Sequence, residues 1–303
     1  MYATYVYAAG STAANILADV VKLLTGTTDK AQLSANCVQA STSIDASVNA
    51  AGWEVYDASA GTNARCLRAP IVDNGSQYKY LVVDTNSAGY IFFKLYESWN
   101  NSTHVGSYLA YNSDSTAYSQ RLNTSTGGRL EVSASARHAV VFSLQNSAYG
   151  SSSGSCPGGV VERTRRSPWD VIANGYMPVI AFIGFGSYAA YEPRQVGETG
   201  SDETGSYAAV FPMHVFGGGA ASLTSMPATT IPYDSTKSLL RHAFSPISFV
   251  NPANGHLGGD ITSLCDIWLT TQTSGAAFDT VTYNSNTYVI WTSGTFRLAV
   301  RKG

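Results

Sequence analysis

The residues able to do acid–base, nucleophilic or metal chemistry are scattered along this chain. His104, His138, His214, His242 and His256 stand apart. None is paired at the H-x-x-x-H or H-E-x-x-H spacing that sets two imidazoles on one helix face for a metal ion. Each is therefore expected as a surface or satisfied core histidine. Cys37, Cys66, Cys156 and Cys265 are equally dispersed, with no zinc-ribbon or C-x-x-C spacing, and are expected as buried or half-buried free thiols. Glycoside hydrolysis needs two carboxylates across a cleft. Glu97, Asp114, Glu131, Glu162, Asp170, Glu192 and Asp260 are available, and nothing in their spacing singles out two.

Two short motifs match catalytic or binding patterns in letters only. Gly150-Ser151-Ser152-Ser153-Gly154 spells G-x-S-x-G, but a nucleophile elbow requires a strand before the serine and a helix after it. This copy lies in a Ser/Gly-rich stretch. Gly184-Phe185-Gly186-Ser187-Tyr188-Ala189 spells G-x-G-x-x-A after an apolar run. Dinucleotide binding needs a helix to open there, and Pro193 interrupts one. The expectation is no catalytic residue, no cofactor and no metal.

Two features point to binding instead. Aromatic residues concentrate between Tyr78 and Tyr118, and Tyr96, Trp99, Tyr108 and Tyr111 are the candidates for stacking against a glycan. The competing reading places these rings in the core or against a neighbouring subunit, where tyrosine is also favoured. Arg163-Thr164-Arg165-Arg166 is the one dense cationic run. Arg163, Arg165 and Arg166 are read as a solvated loop or an inter-subunit contact rather than a nucleic-acid site.

The elements that must position these residues are mostly strands. Phe296, Leu298 and Val300 alternate with Arg297, Ala299 and Arg301, a period of two that sets apolar side chains on one sheet face. Asn284-Ser285-Asn286 is a hairpin loop between Thr280-region and Tyr288-region runs, so 277–300 is expected as a three-strand antiparallel meander. Arg297 and Arg301 become its outward assembly contacts. Further strands are expected near 4–7, 53–56, 66–72, 78–84, 90–96, 107–111, 129–133, 138–144, 178–185, 207–216 and 267–271. Their spacing is the rhythm of an all-β sheet.

Three helices are expected. Ile16, Leu17, Val20, Val21, Leu23 and Leu24 recur at helical spacing behind a cap at Ser11 or Thr12, with Gly26 closing the end. Ser167-Pro168-Trp169-Asp170 opens a short capped helix over 168–174, and a further short helix is expected near 29–33. The organisation read from this is residues 1–150, a flexible linker over 151–166, and a β region over 167–303, with one continuous domain as the alternative. The fold class is mainly β, an antiparallel sandwich or set of meander sheets.

Composition narrows the setting. Charged residues make up only 13% of 303, about half the usual share, and Ser, Thr, Asn, Gly and 19 tyrosines fill the gap. Such a surface suits packing against other copies, or sugar binding. A net charge of −2 gives no general attraction to nucleic acid or an anionic membrane. No run of 18 apolar residues marks a membrane span, and residues 1–5 carry no cationic region followed by an apolar one.

The opening Ala8-Ala9-Gly10-Ser11-Thr12 with Leu23-Leu24-Thr25-Gly26-Thr27-Thr28, the low-charge middle, and the ending Tyr288-Val289-Ile290-Trp291 to Thr295–Gly303 resemble structural proteins of tailed-bacteriophage virions. The resemblance implies a non-enzymatic, multi-copy component of tail, baseplate, neck or head, made in the host cytoplasm and ending in the virion. Its implied partners are copies of itself and other virion proteins. A receptor- or glycan-binding tail module and a polysaccharide-degrading tail enzyme are the other readings.

Overall fold

A computed structural model describes residues 1–26, 30–35, 37–43, 52–71, 74–85, 89–112, 120–122, 124–144, 158–162, 179–183, 208–210, 244–245, 248–250, 257–260, 265–270, 279–293 and 296–303. The elements in chain order are β1 (Tyr2–Tyr7), α1 (Ala13–Leu24), a 3-10 turn (Lys30–Gln32), β2 (Cys37–Ser43), β3 (Glu54–Gly61), β4 (Ala64–Ile71), β5 (Asn74–Thr85), β6 (Tyr90–Asn100), β7 (Val105–Asn112), β8 (Gln120–Arg121), β9 (Gly128–Ser135) and β10 (His138–Leu144). There follow β11 (Gly158–Glu162), β12 (Val179–Ile183), β13 (Ala208–Val210), β14 (Phe244–Ser245), β15 (Ser248–Val250), β16 (Leu257–Asp260), β17 (Ile267–Thr270), β18 (Thr280–Tyr283), β19 (Asn286–Ser293) and β20 (Phe296–Arg301). The protein is mainly β, its described strand pairs are antiparallel, and α1 is the one α-helix longer than a turn among the described residues.

Three sheets matter here. The central sheet runs β12-β11-β10-β9-β1-β2, the outer sheet β3-β4-β5-β6-β7, and the C-terminal sheet β14-β17-β20-β19-β18. Alternation assigns the faces. Ala3, Tyr5, Tyr7, Leu130, Val132, Ala134, Ala139, Val141 and Val160 point from the central sheet into a core shared with Leu67, Leu81, Val83, Phe93 and Leu95 of the outer sheet. The other central face carries Tyr2 and Phe142, and Trp291 of β19 packs on both, with ring centroids 6.1 and 5.4 Å away. The central sheet is therefore covered on both sides.

Helix α1 completes the first core. Thr12 is the N-cap, accepting from the Asn15 N–H, and Gly26 follows the last turn at φ 100°, the left-handed conformation a helix end needs. The helix buries Ile16, Leu17, Val20, Val21, Leu23 and Leu24. It also buries Asp19, whose carboxylate accepts from Tyr5 Oη at 2.7 Å, Ser34 N at 2.8 Å and Ser34 Oγ at 2.7 Å. A carboxylate inside a core persists only with such donors. Here the donors come from β1 and from the segment leading into β2, so the charge ties the helix to the central sheet.

The segment expected as a linker needs correction. Residues 158–162 form β11, buried at every position and paired to β10 and β12. Its run of Gly and Val has no polar alternation because both its faces are covered. One sheet thus joins strands from either side of residue 150. The expected helix over 168–174, Cys156 and the two glycine motifs fall outside the described residues. The helix expected near 29–33 is a single 3-10 turn. The C-terminal meander is present as β18-β19-β20. Its turn is two residues long, Asn284 and Ser285 at φ 47° and 66°, with Asn286 already in the strand. Both residues take the left-handed region that a two-residue hairpin demands. Ala299, expected on the outward side of β20, is buried with Tyr288 and Ile290.

Covering both faces of the central sheet traps polar groups. Lys79 of β5 reaches from the outer sheet to Glu162 of β11, Nζ to Oε1 at 2.6 Å, and both side chains are almost fully buried. Lys79 also donates to the carbonyls of Pro70 and Ala136, each at 2.7 Å, so its three ammonium protons have three acceptors. Burial pushes its pKa below the ordinary lysine range, and the Glu162 carboxylate opposes that shift. Replacing Lys79 by Met should cost about 3–5 kcal/mol in urea unfolding, because it strips Glu162 of its buried partner. Adding Glu162→Leu should recover part of that loss.

His138 is buried between Ser133 and Ser135, whose hydroxyls lie 2.8 Å from Nε2 and 2.9 Å from Nδ1. Burial first, then the N-terminal ammonium and Lys79, lowers its pKa to about 3. The unfolded chain takes up this proton below about pH 6.5, whereas the folded one stays neutral until about pH 3. Stability attached to His138 is therefore full above pH 6.5 and falls as pH drops through that window. Urea unfolding at successive pH values should show a shallower acid loss for His138→Gln than for the wild type.

Candidate functional site

The outer sheet has one face in the core and one outward, and the outward face gathers most of the half-exposed aromatic rings described. Its register explains why. Glu54 pairs with Arg68, Arg68 with Tyr80, and Tyr80 with Tyr96, so a single row crosses β3, β4, β5 and β6. A register shift in β3 between Val55 and Asp57 sets Asp57 opposite Cys66, on the same side as that row. Ala64, Cys66 and Val82 form the buried floor, and Tyr56, Tyr80, Tyr96 and Trp99 pack over it.

Each ring is held. The Arg68 guanidinium lies 4.2 Å from the Tyr56 ring centroid and 4.6 Å from that of Tyr78, and is ion-paired to Glu54. Tyr56 and Tyr80 are 5.5 Å apart, and Tyr96 meets Trp99 edge-on at 5.3 Å. Tyr96 lies against Gly106 of β7, where an added Cβ would fall 2.2 Å from its Cδ1. Trp99 Nε1 donates to Asp57 Oδ2 at 2.9 Å. His104 Nδ1 lies 2.7 Å from the same oxygen, and the Ser59 N–H donates to Oδ1 at 2.8 Å. His104 sits at φ 57°, at the end of a turn in which Asn100 Oδ1 accepts from the Ser102 and Thr103 N–H groups.

The electrostatics of this face are those of closed pairs. Burial raises the Asp57 carboxyl, but the bonds from His104, Trp99 and the Ser59 N–H outweigh it and leave the group below the ordinary aspartate range. Burial and the Asp57 charge push the Cys66 thiol up to about 12, which removes it as a nucleophile at neutral pH. Lys94 stands 3.8 Å from Asp84.

A second surface lies on the C-terminal sheet. Asp266, at φ 52°, accepts from Trp268 Nε1 at 2.7 Å, Tyr288 Oη at 2.9 Å and Arg301 Nη1 at 3.2 Å. Trp268 and Val281 are half-buried beside this group, and Tyr283 is 43% exposed at the end of β18. A cleft of about 490 Å³ opens beside the start of α1, lined by Ser11, Thr12, Asn63, Thr85 and Thr124 among others. Its Ser11 hydroxyl donates to Ala8 O, and Thr12 is the helix cap.

The structure brings Tyr96 and Trp99 together on the outer sheet. Tyr108 and Tyr111 lie on β7, Tyr111 opposite Leu95, and their side chains are outside those described. Arg301 is engaged by Asp266, Arg297 is opposite Thr292 in the meander, and Arg163, Arg165 and Arg166 lie outside the described residues. Glu131 and Glu162, two of the candidate carboxylates, are on opposite faces of the central sheet. Glu131 accepts from Thr4 Oγ1 at 2.8 Å and from Arg129. Sequence reading did not single out Asp57, Arg68 or His104, since their convergence depends on strand register. No family model and no curated protein matches the chain.

Gly106→Val should push the Tyr96 ring off β7 and cost about 1–3 kcal/mol. Near-ultraviolet circular dichroism should lose aromatic signal while the far-ultraviolet β signature stays.

Proposed function

We propose that this chain is a non-enzymatic structural component of a tailed-bacteriophage virion, in its tail, baseplate or neck, acting through contacts with copies of itself and with other virion proteins. The observation that supports this most is the edge of the C-terminal sheet. Among the described residues β18 (Thr280-Val281-Thr282-Tyr283) is the end strand of its sheet, laddered to β19. That strand carries no charge, proline or register shift, the devices that blunt a sheet edge against pairing with another chain. The strand itself presents half-exposed Val281 and exposed Tyr283, and half-exposed Trp268 of β17 packs on the same cluster as Val281, ring and branched side chains of the kind that anchor interfaces. The low overall charge and the resemblance of both chain ends to virion proteins point the same way.

Particles purified from an infected culture should contain the chain at fixed stoichiometry by quantitative mass spectrometry. Thr282→Lys, a charge placed on an exposed edge, should leave thermal unfolding within about 0.5 kcal/mol of wild type and exclude the chain from particles in a complementation assay. Finding the wild-type chain only in the soluble lysate would overturn the proposal.

A further inference from the structure

The assembly proposed through β18 makes no use of the outward face of the outer sheet. We infer that it is a binding site for an uncharged glycan chain, laid across β3 to β6 over Tyr56, Tyr78, Tyr80, Tyr96 and Trp99. This inference does not rest on the virion proposal.

Three observations carry it. The first is continuity. Arg68 stacks with Tyr56 and Tyr78, Tyr56 meets Tyr80, Tyr80 is the register partner of Tyr96, and Tyr96 meets Trp99. The aromatic row thus crosses four strands, about 14 Å at the usual interstrand spacing. The second is pre-organisation. Trp99 is pinned through its indole N–H to Asp57, Tyr96 is seated on Gly106, and Arg68 braces Tyr56 and Tyr78. Rings already fixed lose little entropy when a ligand arrives. Yet they remain on the surface: Tyr78 is 36% exposed, and Tyr56, Tyr80, Tyr96 and Trp99 are half-buried.

The third observation chooses the ligand. A pyranose presents C–H bonds, weakly positive, on its faces and hydroxyls at its rim. The first complement the negative π-faces of aromatic rings, and the second match phenol groups that both donate and accept. The described charged side chains beside the row have partners: Arg68 pairs with Glu54, Lys94 with Asp84, and the buried Asp57 carboxylate is bonded by Trp99, His104 and the Ser59 N–H. Among the described residues such a face offers no exposed, unpartnered charge to steer or hold a charged partner, and a neutral polyol needs none. A protein partner is the alternative occupant, and the experiment separates the two.

The full chain should be applied to an array of bacterial surface polysaccharides, and titrated with maltohexaose, cellohexaose and N-acetylchitohexaose while tryptophan fluorescence is followed. The expected result is saturable binding of at least one neutral glycan, with equal affinity in low and in molar salt. Tyr78→Ala and Tyr96→Ala should each weaken it about tenfold, the size of one lost stacking contact. Tyr78 is exposed enough to be removed without unfolding the chain, so its variant remains informative if Tyr96→Ala is unstable. The inference is overturned if no neutral glycan binds, or if binding survives Tyr78→Ala unchanged. It is equally overturned if binding fades with salt, or if the row instead captures a virion protein and these variants abolish that capture. Particle incorporation, which reads out β18, is measured on the same variants and should not change.

Discussion

Covering both faces of one sheet imposes a rule on its strands: polar side chains that enter must find partners inside the protein. β9, β10 and β11 obey it with a small set of ties between layers. Glu162 is met by Lys79 from the outer sheet and by Arg137. Glu131 is met by Thr4, by Arg129 and by Tyr2, which in turn accepts from the Trp291 indole N–H at 2.8 Å. The first tie links the central sheet to the outer one, and the second links it to the C-terminal sheet. Burying charges for this purpose is costly unless they are fully bonded, so these ties fix how the layers register more than they raise stability.

That arrangement has consequences at the surface. With its inner side committed to the shared core, the outer sheet has one face left, and its tyrosines, Trp99 and Arg68 gather there by strand register alone. In the same way β19 spends Trp291 on the central sheet, and its alternate residues Tyr288 and Ile290 lie on the opposite side near Asp266. The two proposed working surfaces are the outward side of the outer sheet and the β18 edge of the C-terminal sheet. They are separate, which allows one to serve assembly and the other a ligand.

Much of the fold was legible in the order of residues. The helix over Ala13–Leu24 shows its cap, its apolar stripe and its closing glycine because all three are local. The alternation of apolar and cationic residues over Phe296–Arg301, and the Asn284-Ser285 turn, are local as well. β11 was not legible. Its Gly-Gly-Val-Val run follows a Ser/Gly-rich stretch and reads as linker, since a strand buried on both faces has no polar alternation to reveal it. Tyr96 and Trp99 could be named from composition, but Asp57, Arg68 and His104 could not. They meet through a register shift in β3, a left-handed residue at His104 and pairings between distant strands.

The sequence by itself determined a mainly β chain with one amphipathic helix, low charge and a surplus of tyrosine, because propensity, periodicity and composition act over a few residues. Only the tertiary structure decided which of those tyrosines share a face and which carboxylates meet a cation. It also decided that residues on either side of position 150 belong to one sheet. These are matters of strand register and layer order, set by long-range pairing and by the requirement that buried charge be neutralised, and neither leaves a mark within a short window of sequence.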